Sequence, residues 1–318
     1  AATSARITMP GPPPAGVSLP FLEQAGLEVE AIDPGITGRM AAFPGTQRRV
    51  IGRRNFMTLQ ADAPGRERAR KLRQAISIAL DWEEFISIFA NGRGIPGQGP
   101  IPPGIFGFRT GSEGINPIVY DWVGDAPRRK SIEAAKQLLA EAGYPDGREA
   151  KSGQPLVLYL DTTDRGPGDK PRLDWYRKQF AKLDLQLEIR GTDYNRFQEK
   201  VRKGAAQIFV WGWNADYPDP ENFLFLFHGA QSRAKFQGEN AANYVNPEYD
   251  RLFEQVKHME NGPARQALID RMLAILREDA PWSFGFHPKD YSLHHDWVAN
   301  LKPNNMARNG LKYRKIDA

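Results

Sequence analysis

The fold is decided by residues 156–211, LVLYLDTTDRGPGDKPRLDWYRKQFAKLDLQLEIRGTDYNRFQEKVRKGAAQIFVW. Leu156–Leu160 is a short apolar run, which is typical of a buried strand. Pro171–Leu183 has apolar residues at helical spacing, and Leu185–Ile189 alternates with polar residues as a half-exposed strand does. Two further elements continue the alternation, a helix over Asp193–Lys203 and a strand over Gln207–Trp211. Strands that alternate with helices predict an α/β or α+β lobe.

The same signals predict elements on both sides of this stretch. Helical spacing and N-capping residues predict helices at Arg66–Leu80, after Asp81, after Ser131, near Glu221, after Asn246 and at Pro263–Asp279. The region before residue 65 is rich in Pro and Gly, and it predicts only two short strands, near Leu27–Ile32 and Arg54–Leu59. These two strands cannot bury a core alone.

Bulk composition excludes several classes of protein. The chain has 318 residues, enough for two domains or for one large domain with an appendage, and 11% of them are aromatic, which excludes a wholly disordered chain. It has no cysteine, so disulfides and thiolate metal sites are excluded. The net charge of +5 comes from 43 basic and 38 acidic residues spread along the chain, which favours a solvated surface over a nucleic-acid interface.

Two further patterns argue against a nucleotide or metal site. Residues 92–97, GRGIPG, match the phosphate-binding pattern G-x-G-x-x-G, but a predicted helix precedes them where the motif needs a strand. The histidines have no ligand spacing, and the adjacent pair His294-His295 would point to opposite faces of a strand. We therefore expect no metal and no cofactor. Residues 1–16 lack the basic start and apolar core of an export signal, as a mature or truncated chain would.

The segment WGWNADYPDPENFLFLF, residues 211–227, combines aromatic and acidic side chains. Trp211, Trp213 and Tyr217 supply flat apolar surface beside several carboxylates, which is typical of a ligand-binding wall. Asp216 lies at the end of a predicted strand, where ligand groups gather in α/β lobes. Asp219 directly precedes a Pro-Glu helix start, so we expect it to cap that helix rather than bind a ligand.

The chain resembles the extracellular solute-binding protein family 5, the receptors of peptide-, dipeptide- and nickel-type ABC importers. Six ordered segments carry this resemblance: KLRQAISIALDWEEF (71–85), GPIPPGIFGF (99–108), AAKQLLAEAGYPDG (134–147), GWNADYPDPENFL (212–224), ANYVNPEYDRLFEQ (242–255) and DAPWSFGFHP (279–288). The resemblance implies a type II periplasmic-binding-protein-like fold, in which two α/β lobes close over a ligand. It also implies a periplasmic or extracellular, membrane-associated location, membrane permease subunits as partners, a monomer and no enzymatic activity.

Compared with the family pattern, the chain lacks most of the N-terminal half. The resemblance implies three parts: a remnant of the first lobe and hinge approach (1–67), a nearly complete second ligand-binding lobe (68–288) and a return segment to the first lobe (289–318). It also implies that Asp216 pairs with the α-ammonium group of a peptide and that Arg165, in the loop after the preceding strand, holds the peptide carboxylate. A solvated loop charge is the alternative for Arg165.

Other functions remain open from the residues alone. Trp211, Trp213 and Tyr217 would suit an oligosaccharide, an opine-like compound or a metal chelate as well as a peptide. Asp216 and Glu221 could form a glycosidase-like carboxylate pair. Because both acids lie in one short loop with two prolines and no other acid or base motif supports them, we favour the binding protein.

Overall fold

The computed structural model describes residues 5–8, 27–30, 37–42, 63–289, 292–295, 298–299 and 315–316. Its strands are β1 (Ala5–Thr8), β2 (Leu27–Glu30), β3 (Thr37–Ala42), β4 (Gly94–Pro96), β5 (Tyr120–Val123), β6 (Ala126–Arg129), β7 (Val157–Thr162), β8 (Gln186–Gly191), β9 (Ile208–Asn214), β10 (Trp282–Pro288), β11 (Ser292–His295), β12 (Val298–Ala299) and β13 (Lys315–Ile316). The predicted strand near Leu27–Ile32 is confirmed by β2. The one near Arg54–Leu59 lies outside the described residues.

The predicted helices are confirmed, and every predicted limit lies within three residues of the observed one. The helices are α1 (Ala63–Ala79), α2 (Trp82–Ala90), α3 (Gly111–Gly114), α4 (Ile132–Glu141), α5 (Lys170–Ala181), α6 (Tyr194–Arg202), α7 (Glu221–Leu224), α8 (Arg233–Phe236), α9 (Pro247–Val256) and α10 (Pro263–Asp279). Three of the predicted caps accept backbone hydrogen bonds from the first turn: Asp81, Ser131 and Asn246. Each such cap stabilises a helix start by about 1 kcal/mol.

A six-stranded mixed sheet organises the described region. Its strand order is β4-β10-β3-β9-β7-β8, with β7 parallel to both of its neighbours and the remaining pairs antiparallel. The α/β prediction is therefore confirmed. Strand β3, from the first 67 residues, lies between β10 and β9 in this sheet. The division of the chain at residues 67 and 288 stays a prediction.

Each face of the sheet carries its own apolar core. The first core holds buried side chains of α1, α2, α4 and α5, and the second those of α6, α7, α9 and α10. Strand β9 serves both because successive side chains point to opposite faces: Ile208 belongs to the first core, and Phe209 belongs to the second. Burying both faces explains the nearly continuous apolar run of this strand.

The path of the chain around β7 creates a topological switch point. From β7 the chain passes through α5 to β8, and from β8 it returns through α6 to β9 on the opposite side of β7. Helices α5 and α6 contribute to different cores, so they lie on opposite faces of the sheet. In open α/β sheets, ligands bind beyond the carboxyl ends of the strands at such a point. None of the described helices is both long and apolar enough to cross a membrane.

Candidate ligand-binding site

A cavity of about 480 Å³ opens where β7 and β9 separate. The two strands are paired only at Leu160↔Ile208 and Asp161↔Phe209, and the cavity begins at the next residues of each strand, Thr162 and Val210. It lies at the carboxyl ends of parallel strands, at the switch point. Its apolar walls are formed by Trp82, Phe85, Tyr176, Tyr194, Phe197, Val210, Trp211 and Phe286. Its polar groups come from Thr162, Thr163, Asp164, Arg172 and Gln198.

Trp211 forms part of this cavity wall, where the sequence predicted a ligand contact. Its ring stacks on that of Phe197 with a centroid separation of 6.1 Å and an interplanar angle of 29°. The guanidinium carbon of Arg233 lies 5.3 Å from the Trp211 ring centroid, within cation–π range. The indole is thus fixed on the protein side, which gives the cavity a rigid aromatic surface.

Trp213 lies two residues further along β9, and its observed contacts are with other side chains of the protein. Its ring packs edge-on against Phe225 at 5.4 Å, and its Nε1–H donates a hydrogen bond to Asn222 Oδ1 at 3.1 Å. It borders neither this cavity nor the second cavity described below. Its contribution as a ligand-binding residue stays a prediction, and its observed contacts support the loop that follows β9.

Asp216 is exposed at the end of β9, and Asn222 is its side-chain contact. The Asp216 N–H donates to Asn222 Oδ1 at 2.8 Å, and Asn222 Nδ2 donates to Asp216 Oδ2 at 3.4 Å. No lysine or arginine among the described residues forms an ion pair with the Asp216 carboxylate. A carboxylate that is oriented but not neutralised is suited to bind a cationic group of a ligand.

Asp219, three residues later, forms an ion pair within the protein. Its two oxygens accept hydrogen bonds of 2.7 Å each from the guanidinium of Arg265, whose side chain is 4% exposed. Its Oδ1 also accepts from the Glu221 N–H at 2.8 Å, so Asp219 hydrogen-bonds the first residue of α7 as a cap would, although Pro220 occupies the N-cap position itself. Burial is the largest influence on the pKa of Asp219 and acts to raise it. The hydrogen bonds from Arg265 and Glu221, with the charge of Arg265, outweigh burial and hold that pKa below its ordinary value.

Tyr217 does not border the first cavity. The residue is 43% exposed, and its hydroxyl donates a hydrogen bond to Glu221. Burial, followed by this hydrogen bond, raises the pKa of Tyr217 to about 12. Tyr217 and Glu221 border a second, open cavity of about 490 Å³, between the loop after β9 and the turn that joins α9 to α10. Asp216 borders neither of these two cavities, so neither of them holds Asp216 and Glu221 together as a glycosidase pair requires.

Arg165 lies in the loop after β7, at the same sheet edge as Asp216. Its side chain is exposed, and its backbone N–H donates to Asp169 Oδ2 at 3.2 Å. Within the described part of the chain, its guanidinium forms no ion pair and no hydrogen bond. Arg172 lines the cavity instead and is held by Asp164 and Asp169 at 2.8 Å each. Arg165 is thus available to a ligand, while Arg172 is paired.

The sequence did not reveal several residues that shape this site. Asn222 and Arg265 hold the two ends of the loop after β9, and Tyr194 and Gln198 of α6 border the cavity. Tyr194 was visible as an aromatic residue on a predicted helix, but the pattern gave no reason to place it at a cavity. No local signal marks Arg265, because its partner Asp219 is 46 residues away in the chain.

Comparison with known proteins agrees with this geometry. Residues 22–235, more than half of the chain, match the family described as "Bacterial extracellular solute-binding proteins, family 5 Middle". The chain belongs to this family. The matched residues include β7, β8, β9 and the acidic loop, so Asp216 and all of the cavity-lining residues except Phe286 lie within the family region.

Similar proteins include a heme-binding and a peptide-binding relative. Heme-binding protein A from Haemophilus influenzae is 28% identical over 224 residues, which cover 69% of this chain and 37% of that protein. The dipeptide-binding protein from Escherichia coli is 25% identical over 213 residues, 66% of this chain and 36% of the relative. The chain therefore spans less than half the length of these relatives.

Solved structures show the same fold. The periplasmic binding protein DppA from Helicobacter pylori, in complex with the peptide STSA, superposes with a TM-score of 0.66 at 21% identity, over 89% of this chain and 48% of that chain. HbpA2 from Haemophilus parasuis gives a TM-score of 0.67 at 18% identity, over 90% of this chain and 49% of that one. The predicted periplasmic-binding-protein-like fold is confirmed, and this chain corresponds to about half of it.

Proposed function

We propose that this chain is the ligand-capturing part of a substrate-binding protein that delivers short peptides to the permease subunits of an ABC importer. The observation that supports this proposal most directly is Asp216, an exposed carboxylate held by Asn222 and left without a cationic partner among the described residues. A peptide α-ammonium group would supply that partner, through a charge-assisted bond of about 1.5–3 kcal/mol.

The proposal assigns separate parts of the ligand to separate parts of the site. Asp216 binds the ammonium group, Arg165 binds the carboxylate, and the aromatic cavity beside Trp211 takes an apolar side chain. Trp213 and Tyr217 support the loop that carries Asp216. Closure of a second lobe over this surface would exclude water and strengthen both ionic contacts. We further propose a monomer that acts in the periplasm or outside the cell, with no enzymatic activity and no nucleic-acid partner.

A metal chelate or another flat, non-peptide cargo is the second candidate. The favouring observation is the cavity itself, whose walls are mostly aromatic and which a planar apolar ligand would fill. A relative named heme-binding protein A is consistent with such a cargo.

Isothermal titration distinguishes the two candidates. We expect di- and tripeptides with free termini to bind the protein, and their N-acetylated counterparts to bind at least tenfold more weakly. Binding of hemin together with no response to any free-amine peptide would reject peptide capture and favour the second candidate. Mass spectrometry of ligand that remains bound through purification provides an independent check.

A further inference from the structure

Asn222 is a buried residue that contacts Asp216, the residue predicted to bind the ligand ammonium group. It lies in α7, its side chain is 2% exposed, and it contacts both Trp213 and Asp216. A buried amide must satisfy its hydrogen-bonding groups within the protein, because leaving one unpaired costs about 1–3 kcal/mol. The groups with which Asn222 interacts belong to Trp213 in β9, to Asp216 and to the hydroxyl of Tyr217.

The donors around Asn222 fix the orientation of its amide. Trp213 Nε1–H and the Asp216 backbone N–H are donors only, so the atom that they share must be the carbonyl oxygen Oδ1. The amino group Nδ2 then faces Asp216 and donates to Oδ2 at 3.4 Å. One side chain thus holds the backbone of Asp216 with its carbonyl and directs the carboxylate with its amino group.

The residues that pack around Asn222 are themselves held by other contacts. Trp213 packs against Phe225, and the buried hydroxyl of Tyr249 donates to the Leu224 carbonyl at 2.8 Å, which secures the end of α7. Asp216 is exposed and receives no other side-chain hydrogen bond from the described residues. Without Asn222, its carboxylate would therefore be free to adopt other rotamers.

We propose that Asn222 is a positioning residue that fixes the Asp216 carboxylate for recognition of a ligand ammonium group. This inference rests on the proposed function, and it adds that the preference of the protein for a free amine is set by a residue that does not touch the ligand. Pre-orientation of Asp216 lowers the conformational entropy lost on binding, which strengthens the ionic contact without adding a new one.

The test compares Asn222→Leu with Tyr249→Phe. This control removes the hydrogen bond that Tyr249 of α9 donates to Leu224 of α7, the helix that contains Asn222, and Tyr249 does not hydrogen-bond Asp216. The probes are alanyl-phenylalanine and N-acetyl-alanyl-phenylalanine, titrated calorimetrically into each variant. We expect Asn222→Leu to reduce the free-amine preference about tenfold and Tyr249→Phe to leave it unchanged. In an Asp216→Asn background, Asn222→Leu should cause no further loss of this preference.

Two results would overturn the inference: an unchanged preference in Asn222→Leu, or an equal loss in the Asp216→Asn background. A wild-type protein with no free-amine preference would instead contradict the proposed function. The positioning role is then decided without ligand, from the three-bond NMR couplings of Asp216. A single rotamer in the wild type that becomes averaged in Asn222→Leu supports positioning, and the same rotamer in both proteins rejects it.

Discussion

The loop after β9 carries a carboxylate near each end, Asp216 and Asp219, and only one of them is paired with a cation of the described residues. Asp219 forms two 2.7 Å hydrogen bonds with the buried guanidinium of Arg265 and accepts one from the first N–H of α7, so its charge is used within the protein. Asp216 is three residues away, exposed and without a cationic partner among the described residues. The difference shows that one carboxylate is used to hold the loop, while the other keeps the uncompensated charge that we propose binds a ligand.

Of the replacements considered, we expect that of Asp219 to have the largest effect on the free energy of unfolding. Asp219→Asn keeps an oxygen for the Glu221 N–H but leaves the Arg265 guanidinium buried without a counter-charge. Breaking such a pair costs about 3 kcal/mol of unfolding free energy. Urea denaturation monitored by tryptophan fluorescence measures this loss. A change below about 1 kcal/mol would show that the ion pair does not stabilise the loop.

Replacement of Asp216 should give the reverse pattern. We expect Asp216→Ala to weaken binding of a free-amine dipeptide by about 1.4–3 kcal/mol, a ten- to more than hundredfold loss of affinity. Its unfolding free energy should change by less than about 1 kcal/mol, because the side chain is exposed and the one hydrogen bond that it loses, from Asn222 Nδ2, is long at 3.4 Å. Calorimetric titration and urea denaturation of the same preparation give both values. Unchanged affinity would reject Asp216 as the ammonium anchor.

Arg165 extends the comparison to the loop after β7. Its guanidinium is unpaired among the described residues, so Arg165→Ala should have little effect on stability. If Arg165 binds the ligand carboxylate, the variant should lose about 1 kcal/mol of affinity for a free-carboxyl dipeptide. A C-terminally amidated dipeptide serves as the control, since its affinity should not depend on Arg165. Equal losses for both ligands would show that Arg165 acts in another way.

The most gradual effect concerns pH. Because the folded-state pKa of Asp219 is depressed, its stabilising contribution is fully present above the ordinary aspartate pKa of about 3.9 and is lost as the pH falls through the lower folded value. The stability difference between the wild type and Asp219→Asn should therefore narrow below about pH 4. Urea denaturation between neutral and acidic pH tests this expectation, and a difference that does not vary with pH would contradict it.

Much of the fold could be predicted because its signals are local. The apolar residues at helical spacing and the N-cap Asn246 predicted the first turn of α9. The predicted helix Pro263–Asp279 has the same limits as α10. The hairpin of β5 and β6 was missed, because its short strands are mostly exposed and carry no apolar alternation. Strand β3 could not be placed in the sheet, because its partners β9 and β10 lie far along the chain.

The candidate site was only partly predictable for the same reason. The sequence marked Trp211 by its composition and position, and the structure places it in a cavity wall. Tyr217 was grouped with Trp211, although it borders the second cavity. Strand β9 ends at Asn214, between these two residues, and spacing along a sequence does not report the change of direction that follows.

By itself the sequence determined most of the longer helices, the three strands β7, β8 and β9, several helix caps and the family, and it predicted the loop in which charged ligand groups would be bound. These features depend on residue types a few positions apart, so they can be read along the chain. The sequence also separated the predicted roles of Asp216 and Asp219, but only the tertiary structure shows why one acid has an internal cation and the other does not. That outcome depends on Arg265, which reaches Asp219 across 46 residues, and on Asn222, whose amide is oriented by Trp213. A charge is available to a ligand only when folding leaves it without an internal partner.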